Sequence, residues 1–220
     1  MAQRALTFCA SDGTRIPFLL HLPPGHASHP RRRWPLLLHL HGAGERGHDV
    51  RALLRSELPR RLERAPRLRL VVVSPQCPPR TTWTPLLPTL LELLDELGPA
   101  LRANPRRVHV SGSSMGGSGT WQLIALDPGR FAAAVPICAT VPPLAGWPAR
   151  AGRAASVAVW AFHGARDPVI SVRQPRALRA AHLAHGGRSR LTVLPGIGHE
   201  AWTAAYGDPR LWTWLARRRR

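Results

Sequence analysis

The chain has 220 residues, of which 44% are apolar and 20% are charged. This composition excludes a disordered chain, and the length suits a single domain with one hydrophobic core. No segment approaches the ~20 uninterrupted apolar residues that span a bilayer, and the first residues hold no apolar stretch long enough for a secretion signal. We therefore expect one domain over residues 1–220, with no membrane span and a cytoplasmic location.

The formal net charge is +19, and all 31 basic residues are arginine. Such an excess is typical of proteins that bind nucleic acids, yet the sequence holds no nucleic-acid-binding motif. We interpret the arginines as a solvated surface and expect no specific nucleic-acid partner. A basic nucleic-acid-binding or scaffold protein with a vestigial catalytic site stays as the alternative from another class. Nothing in the sequence indicates an oligomeric state.

The cysteines and the paired histidines bear on redox state and metal binding. Three cysteines are an odd number in a chain without a signal, which indicates reduced thiols. Two pairs of histidines have the close spacing of metal ligands, but no third ligand follows at a matching distance. The pairs are His39 with His41 and His182 with His185. We expect no metal and no cofactor.

Strand-like and helix-like patterns alternate along the chain. The turn-rich residues 11–14 separate strand-like runs at 5–9 and 16–22, which predicts an antiparallel hairpin. Further strands are predicted at 35–40, 68–73, 108–111, 131–137, 157–162 and 191–194. Helices are predicted at 50–62 with a kink at Pro59, after Thr84 as N-cap, and at 115–126, 175–185 and 208–217. This order predicts an α/β fold with a mainly parallel twisted sheet and helices on both faces.

A serine stands in the centre of a glycine-rich turn after the predicted strand at 108–111. Residues 112–116 match the pattern G-x-S-x-G, with Ser114 in the middle. The glycines are needed because the chain turns sharply from a strand into a helix, and side chains there would crowd the neighbouring elements. The sequence therefore predicts Ser114 as a nucleophile raised above the sheet.

A hydroxyl is a weak nucleophile, and it needs a general base together with an acid that orients the base. Asp167 follows the predicted strand at 157–162, and His199 follows the predicted strand at 191–194. The chain order Ser, Asp, His is the order of the α/β-hydrolases. We therefore expect Ser114, Asp167 and His199 to form a catalytic triad.

Acyl transfer also needs two hydrogen-bond donors for the oxyanion of its tetrahedral intermediate. Small residues at 42–44 follow the strand at 35–40 and leave their backbone N–H groups accessible. The residue after the nucleophile supplies the other donor in this type of site. We expect the oxyanion hole at the amides of Ala43, Gly44 and Met115, with Glu45 and Arg46 as braces of the loop.

Several segments together resemble one group of α/β-hydrolases. They are residues 38–47, 74–78, 112–117, 163–167 and 198–199. The pattern looks like the α/β-hydrolases described as peptidases or esterases, which are related to polyhydroxyalkanoate depolymerases, dienelactone hydrolases and the catalytic domain of prolyl oligopeptidases. The resemblance covers residues 5 to 215. It implies the α/β-hydrolase fold, with Ser114 as nucleophile, His199 as base and Asp167 as its partner.

The loop between the strands at 131–137 and 157–162 is too short for a cap domain. We therefore expect an open site without a large cap, and we place Trp83, Trp147 and Trp202 on its rim as substrate-binding residues. The expected function is a cofactor-free serine hydrolase that cleaves small-molecule carboxylic esters through an acyl-enzyme intermediate. A serine peptidase or thioesterase of the same fold is the alternative among enzymes.

Overall fold

A computed structural model describes residues 3–64, 68–141 and 146–220. Within them the strands are β1 (Arg4–Cys9), β2 (Arg15–His21), β3 (Trp34–Leu40), β4 (Val71–Pro75), β5 (Ala103–Ser113), β6 (Ala133–Ile137), β7 (Ala158–Gly164) and β8 (Ser189–Leu194). The helices are α1 (Glu57–Arg64), α2 (Leu87–Ala100), α3 (Met115–Leu126), α4 (Arg173–Ala184), α5 (Ala201–Gly207) and α6 (Pro209–Ala216). Short 3-10 helices cover Ala43–Glu45, Val50–Arg55, Thr84–Leu86 and Ala149–Ala154.

All eight strands belong to one sheet, in the order β1-β2-β4-β3-β5-β6-β7-β8. The hairpin of β1 and β2 is antiparallel, β2 pairs with β4 antiparallel, and the other neighbouring strands are parallel. The predicted α/β fold, with its mainly parallel sheet and its N-terminal hairpin, is therefore confirmed.

Helices cover both faces of the sheet. Because side chains alternate along a strand, Leu36, Leu38 and Leu40 of β3 face the core formed with α2, α3 and α4, while Leu37 faces the core formed with α1, α5 and α6. Strands buried on both faces need no polar alternation. This explains why the central strands read as nearly continuous apolar runs.

The predicted single helix at 50–62 is wrong. The structure has a 3-10 helix over Val50–Arg55 and then α1, which begins at Glu57 with a φ of 46°. Pro59 lies in the first turn of α1, where its missing N–H has no partner to lose, and so it does not kink the helix.

Other boundaries differ as well. Thr84 begins a 3-10 turn whose N-cap position is Trp83, so it does not cap α2. The strand predicted at 68–73 begins three residues later, at Val71. The helix α5 and the 3-10 helix over Ala149–Ala154 were not predicted, because each is too short to show a periodic apolar pattern.

None of the helices in the described ranges is long and apolar enough to cross a bilayer. The carboxyl ends of the parallel strands β3, β5, β7 and β8 lie along one edge of the sheet. In open α/β sheets this edge carries the ligand site, and it carries the predicted functional residues here.

Candidate active site

Ser114 lies in the sharp turn between β5 and α3. Its φ of 51° and ψ of −113° place it in a backbone region that residues with a side chain rarely adopt. The Ser114 N–H donates to the carbonyl of Ile137 at 2.8 Å. A side chain at Gly116 would collide with the carbonyl of Leu40 on β3. Gly116 therefore allows α3 to start close to the sheet, which holds the serine at the edge.

A chain of hydrogen bonds joins Ser114, His199 and Asp167. The Nε2 atom of His199 lies 2.9 Å from Oγ of Ser114, and its Nδ1 atom lies 2.8 Å from Oδ2 of Asp167. With the Nδ1 proton donated to the carboxylate, Nε2 is free to accept the proton of the serine hydroxyl. The three residues singled out from the sequence thus lie together, in an arrangement that can activate a serine.

Asp167 is held as an ionised carboxylate. Its side chain is 1% exposed, and its Oδ1 atom accepts the N–H groups of Val169 at 2.8 Å and Ile170 at 2.9 Å. Burial raises the pKa of Asp167, but the Ile170 N–H and His199 outweigh it, and the pKa falls below its ordinary value of 3.8. The carboxylate is therefore charged near neutral pH and can stabilise an imidazolium beside it.

The loops after β7 and β8 touch, and this contact brings Asp167 and His199 together. Ala165 donates its N–H to Leu194 at 2.9 Å, and Arg166 donates its N–H to Ile197 at 2.9 Å. A side chain at Gly164 would collide with the backbone of the β8 loop. Gly164 is therefore required here, because only a residue without Cβ allows the two loops to approach so closely.

The predicted oxyanion loop lies after β3 and is braced from several sides. His41 accepts the Cys77 N–H on its Nε2 at 2.9 Å, and its carbonyl accepts the indole N–H of Trp83 at 2.9 Å. Arg46 donates from Nε to the carbonyl of Ala43 at 2.8 Å. Within the described residues, no backbone hydrogen bond outside the helices and strands uses the N–H groups of Ala43, Gly44 or Met115. These amides stay the predicted donors of an oxyanion hole.

Two of the three predicted rim tryptophans are almost fully buried, although Trp83 also lines a pocket that Met115 lines. Trp83 is 1% exposed and packs edge-on against His41. Trp147 is 7% exposed and packs against Trp121. Trp202 is half-buried and meets the ring of His199 edge-on, with 5.7 Å between the ring centroids. Of the three, Trp202 has the contact expected of a residue beside the site.

Sequence reasoning missed Glu57, which lies beneath the site. Its carboxylate accepts a hydrogen bond from the Ser113 hydroxyl and the Gly42 N–H at 3.3 Å, and its Oε2 lies 3.2 Å from Nε2 of His39. His39 in turn contacts the hydroxyl of Tyr206 through Nδ1 at 3.1 Å. Glu57 thus connects Ser113, which precedes the nucleophile, with Gly42, which precedes the predicted oxyanion donor Ala43.

Burial and hydrogen bonding act in opposite directions on Glu57. Burial raises its pKa, but the contacts with His39 and Ser113 prevail and hold the pKa below its ordinary value. The side chain is therefore an ionised group in the interior. The sequence signal that could have found it is only a glutamate at the start of an apolar helix face.

The histidines predicted from their spacing as possible metal ligands contact other groups of the protein. His39 contacts Glu57 and Tyr206, while His182 and His185 bond to backbone carbonyls at 2.9 Å and 2.8 Å. Cys138, Asp167 and His199 have ligand atoms within 4.8 Å of one another. Burial raises the pKa of the Cys138 thiol to about 11, and the thiol donates to the carbonyl of His199 at 3.0 Å. The ligand atoms of Asp167 and His199 in this group are already paired with each other and with Ser114.

A mostly apolar pocket of about 390 Å³ opens beside the residue after Ser114. Trp83, Met115 and Val141 form its apolar wall, and Ser118 and Gln122 of α3 lie on its polar side. Met115 directly follows Ser114 and is the lining residue nearest to the serine in the chain.

The sheet order, the strained serine turn after β5 and the loops after β7 and β8 define the α/β-hydrolase fold. Comparison with solved structures gives the same class. A thermostable esterase superposes with a TM-score of 0.84 at 30% identity, over 99% of this chain and 63% of that chain. The chain thus spans less than two thirds of the length of that esterase.

Two more distant structures share the fold. The feruloyl esterase module from Clostridium thermocellum has a TM-score of 0.71 at 17% identity, over 92% of this chain and 83% of that chain. Thermogutta terrifontis esterase 2, phosphorylated by paraoxon, has a TM-score of 0.71 at 15% identity, over 97% of this chain and 90% of that chain.

A family model described as phospholipase/carboxylesterase matches residues 86–208, which is more than half of the chain. The chain belongs to this family of hydrolases. A comparison with curated protein sequences finds no significant match.

Proposed function

We propose that this protein is a serine esterase that cleaves small-molecule carboxylic esters through an acyl-enzyme intermediate. The observation that carries the proposal is the chain of hydrogen bonds from Ser114 through His199 to Asp167 at the carboxyl edge of the sheet. The family match and the 30% identity to a thermostable esterase support ester hydrolysis.

In the proposed first step, His199 takes the proton of Ser114 while Oγ attacks the carbonyl carbon of the ester. Negative charge develops on the carbonyl oxygen, and the amides of Ala43 and Met115 are its proposed donors, with Gly44 beside them. Asp167 stabilises the imidazolium that forms. The protonated His199 then donates its proton to the leaving alcohol, which leaves the acyl group on Ser114.

In the second step, a water molecule takes the place of the alcohol. His199 accepts a proton from this water, which attacks the acyl carbon, and the serine leaves with the same proton. The carboxylic acid is released and the free enzyme is restored.

The apolar pocket beside Met115 is the proposed place of the acyl group. Its volume of about 390 Å³ lies at the small end of ordinary ligand pockets, which measure about 300–1,000 Å³. We therefore expect short to medium acyl chains to react better than long ones.

Labelling with a fluorophosphonate tests the proposal, because this reagent phosphorylates activated serines. We expect stoichiometric labelling, with the adduct on the peptide that contains Ser114. Ser28→Ala is a matched control, since it removes an exposed hydroxyl far along the chain from the site. It should label like the native protein, and Ser114→Ala should not label. Labelling at another serine, or none in a folded sample, would refute the assignment.

A further inference from the structure

A small cleft separates α1 from α5 and has an unusual wall. Four residues of one face of α1 line it, at the spacing i, i+3, i+4 and i+7, opposite three residues of α5. They are Glu57, Arg60, Arg61 and Arg64, facing Trp202, Thr203 and Tyr206. Its volume is about 190 Å³. This is less than the roughly 300 Å³ at which pockets for whole ligands begin, so the cleft can hold only one part of a substrate.

Two residues in the wall of the cleft contact residues of the candidate active site. On one side, Trp202 meets the ring of His199 edge-on, at 5.7 Å between centroids. On the other side, Glu57 accepts the Gly42 N–H and the Ser113 hydroxyl. Both helices therefore start at the catalytic edge and run away from it. Arg60 and Arg61 lie within the first two turns of α1, which are the turns nearest that edge.

The positive charge of the cleft is not compensated. Arg60, Arg61 and Arg64 form no ion pair and no side-chain hydrogen bond within the described ranges, and none of the residues outside those ranges is acidic. The carboxylate in the wall, Glu57, is already held by His39, Ser113 and Gly42. Arg61 is half-buried, which reduces the screening of its charge by water.

We propose that this cleft binds a carboxylate on the alcohol portion of the substrate, so that the preferred esters are those of anionic alcohols. The inference rests on the proposed function. The alcohol must leave next to His199, because His199 protonates it, and Trp202 in the wall of the cleft contacts the ring of His199. A guanidinium group matches a carboxylate with two parallel hydrogen bonds.

Two esters with the same acyl group test this inference. One is 4-acetoxybenzoate, whose alcohol portion carries a carboxylate, and the other is 4-acetoxybenzamide, which is uncharged and of similar shape. The quantity compared is the ratio of kcat/KM for the anionic ester to that for the neutral ester. The ratio for each variant is divided by the ratio for the native protein, so that the different intrinsic reactivities of the two esters cancel.

We expect the double variant Arg60→Gln, Arg61→Gln to lower this ratio about tenfold, since an exposed arginine–carboxylate pair contributes up to about fivefold. The control variant Arg217→Gln, Arg219→Gln removes the same two charges from exposed positions at the end of α6, and its ratio should stay within about twofold. An unchanged ratio in the first variant, or an equal fall in both, would overturn the inference. If the native protein cleaves neither ester, the proposed function itself fails, and the inference fails with it.

Discussion

Replacing Glu57 by alanine should destabilise the fold more than any exposed substitution on the same helix. The Glu57 side chain is 2% exposed, and its carboxylate contacts Ser113, Gly42 and His39 at once. Its removal leaves a buried hydroxyl, a buried N–H and a buried imidazole without their partner. The same substitution removes the contact that links the nucleophile turn to the oxyanion loop.

The expected loss in the free energy of unfolding is about 4 kcal/mol. A buried polar group without a partner costs roughly 1–3 kcal/mol. Three such groups lose the same partner here, and because they adjoin one another their costs are not simply added. Glu57→Gln keeps the acceptor oxygen and the shape, so its loss should be about 1–2 kcal/mol.

Urea unfolding at pH 7, followed by tryptophan fluorescence, measures these differences. Glu63→Ala is the control, because Glu63 lies on the same helix but is exposed, and its hydrogen bonds within the described ranges are to Gln3. Its effect should be below about 1 kcal/mol. If Glu57→Ala lowers the free energy of unfolding no more than Glu63→Ala does, and the slope of that free energy against urea concentration is unchanged, the account of the buried cluster is wrong.

Three further outcomes are expected. Gly164→Ala should abolish most ester hydrolysis, because its Cβ would collide with the β8 loop, while Gly98→Ala, whose Cβ meets open space, should keep full activity. Burial lowers the pKa of His41 to about 4, so the unfolded chain binds a proton that the folded chain does not. Stability should therefore fall as the pH falls from 6.5 to about 4, by up to about 3 kcal/mol, and His41→Gln should flatten this slope in urea unfolding. An ester should exceed the anilide of the same acid in kcat/KM by more than about tenfold, since the amine is the poorer leaving group; a smaller ratio would favour a peptidase.

The sequence was most informative where a short residue pattern is required by contacts near that pattern. The glycines around Ser114 are required by contacts within a few residues and with the adjacent strand, so the turn could be found from its pattern. The loops with Asp167 and His199 could be placed because each begins where a predicted strand ends. The order of parallel strands then brings such loops to one edge.

Features that depend on distant contacts could not be predicted. Glu57 lies in a run of arginines and leucines in which a charged residue is expected to face solvent, and its partners His39 and Ser113 are far away in the chain. Trp83 and Trp202 both adjoin catalytic loops in the sequence, yet the first is enclosed by α2 and α3 and the second meets His199. Only the packing of the helices separates these two cases.

The break in the predicted helix at 50–62 has a similar cause. Val50, Leu53, Leu58 and Leu62 are all buried, so the apolar spacing continues across the break. The 3-10 helix and α1 each turn their apolar side inward. Periodicity therefore indicates which residues are buried but not where one helix ends and the next begins.

The central claim is tested most directly by the rate of ester hydrolysis after Ser114→Ala. We expect kcat/KM for a neutral short-chain ester to fall by about 10⁴-fold, with the free energy of unfolding nearly unchanged. Adding His199→Ala should lower it little further, because the two residues act as a unit. A folded Ser114→Ala protein that keeps more than about a tenth of the native activity would contradict the assignment of Ser114 as the nucleophile.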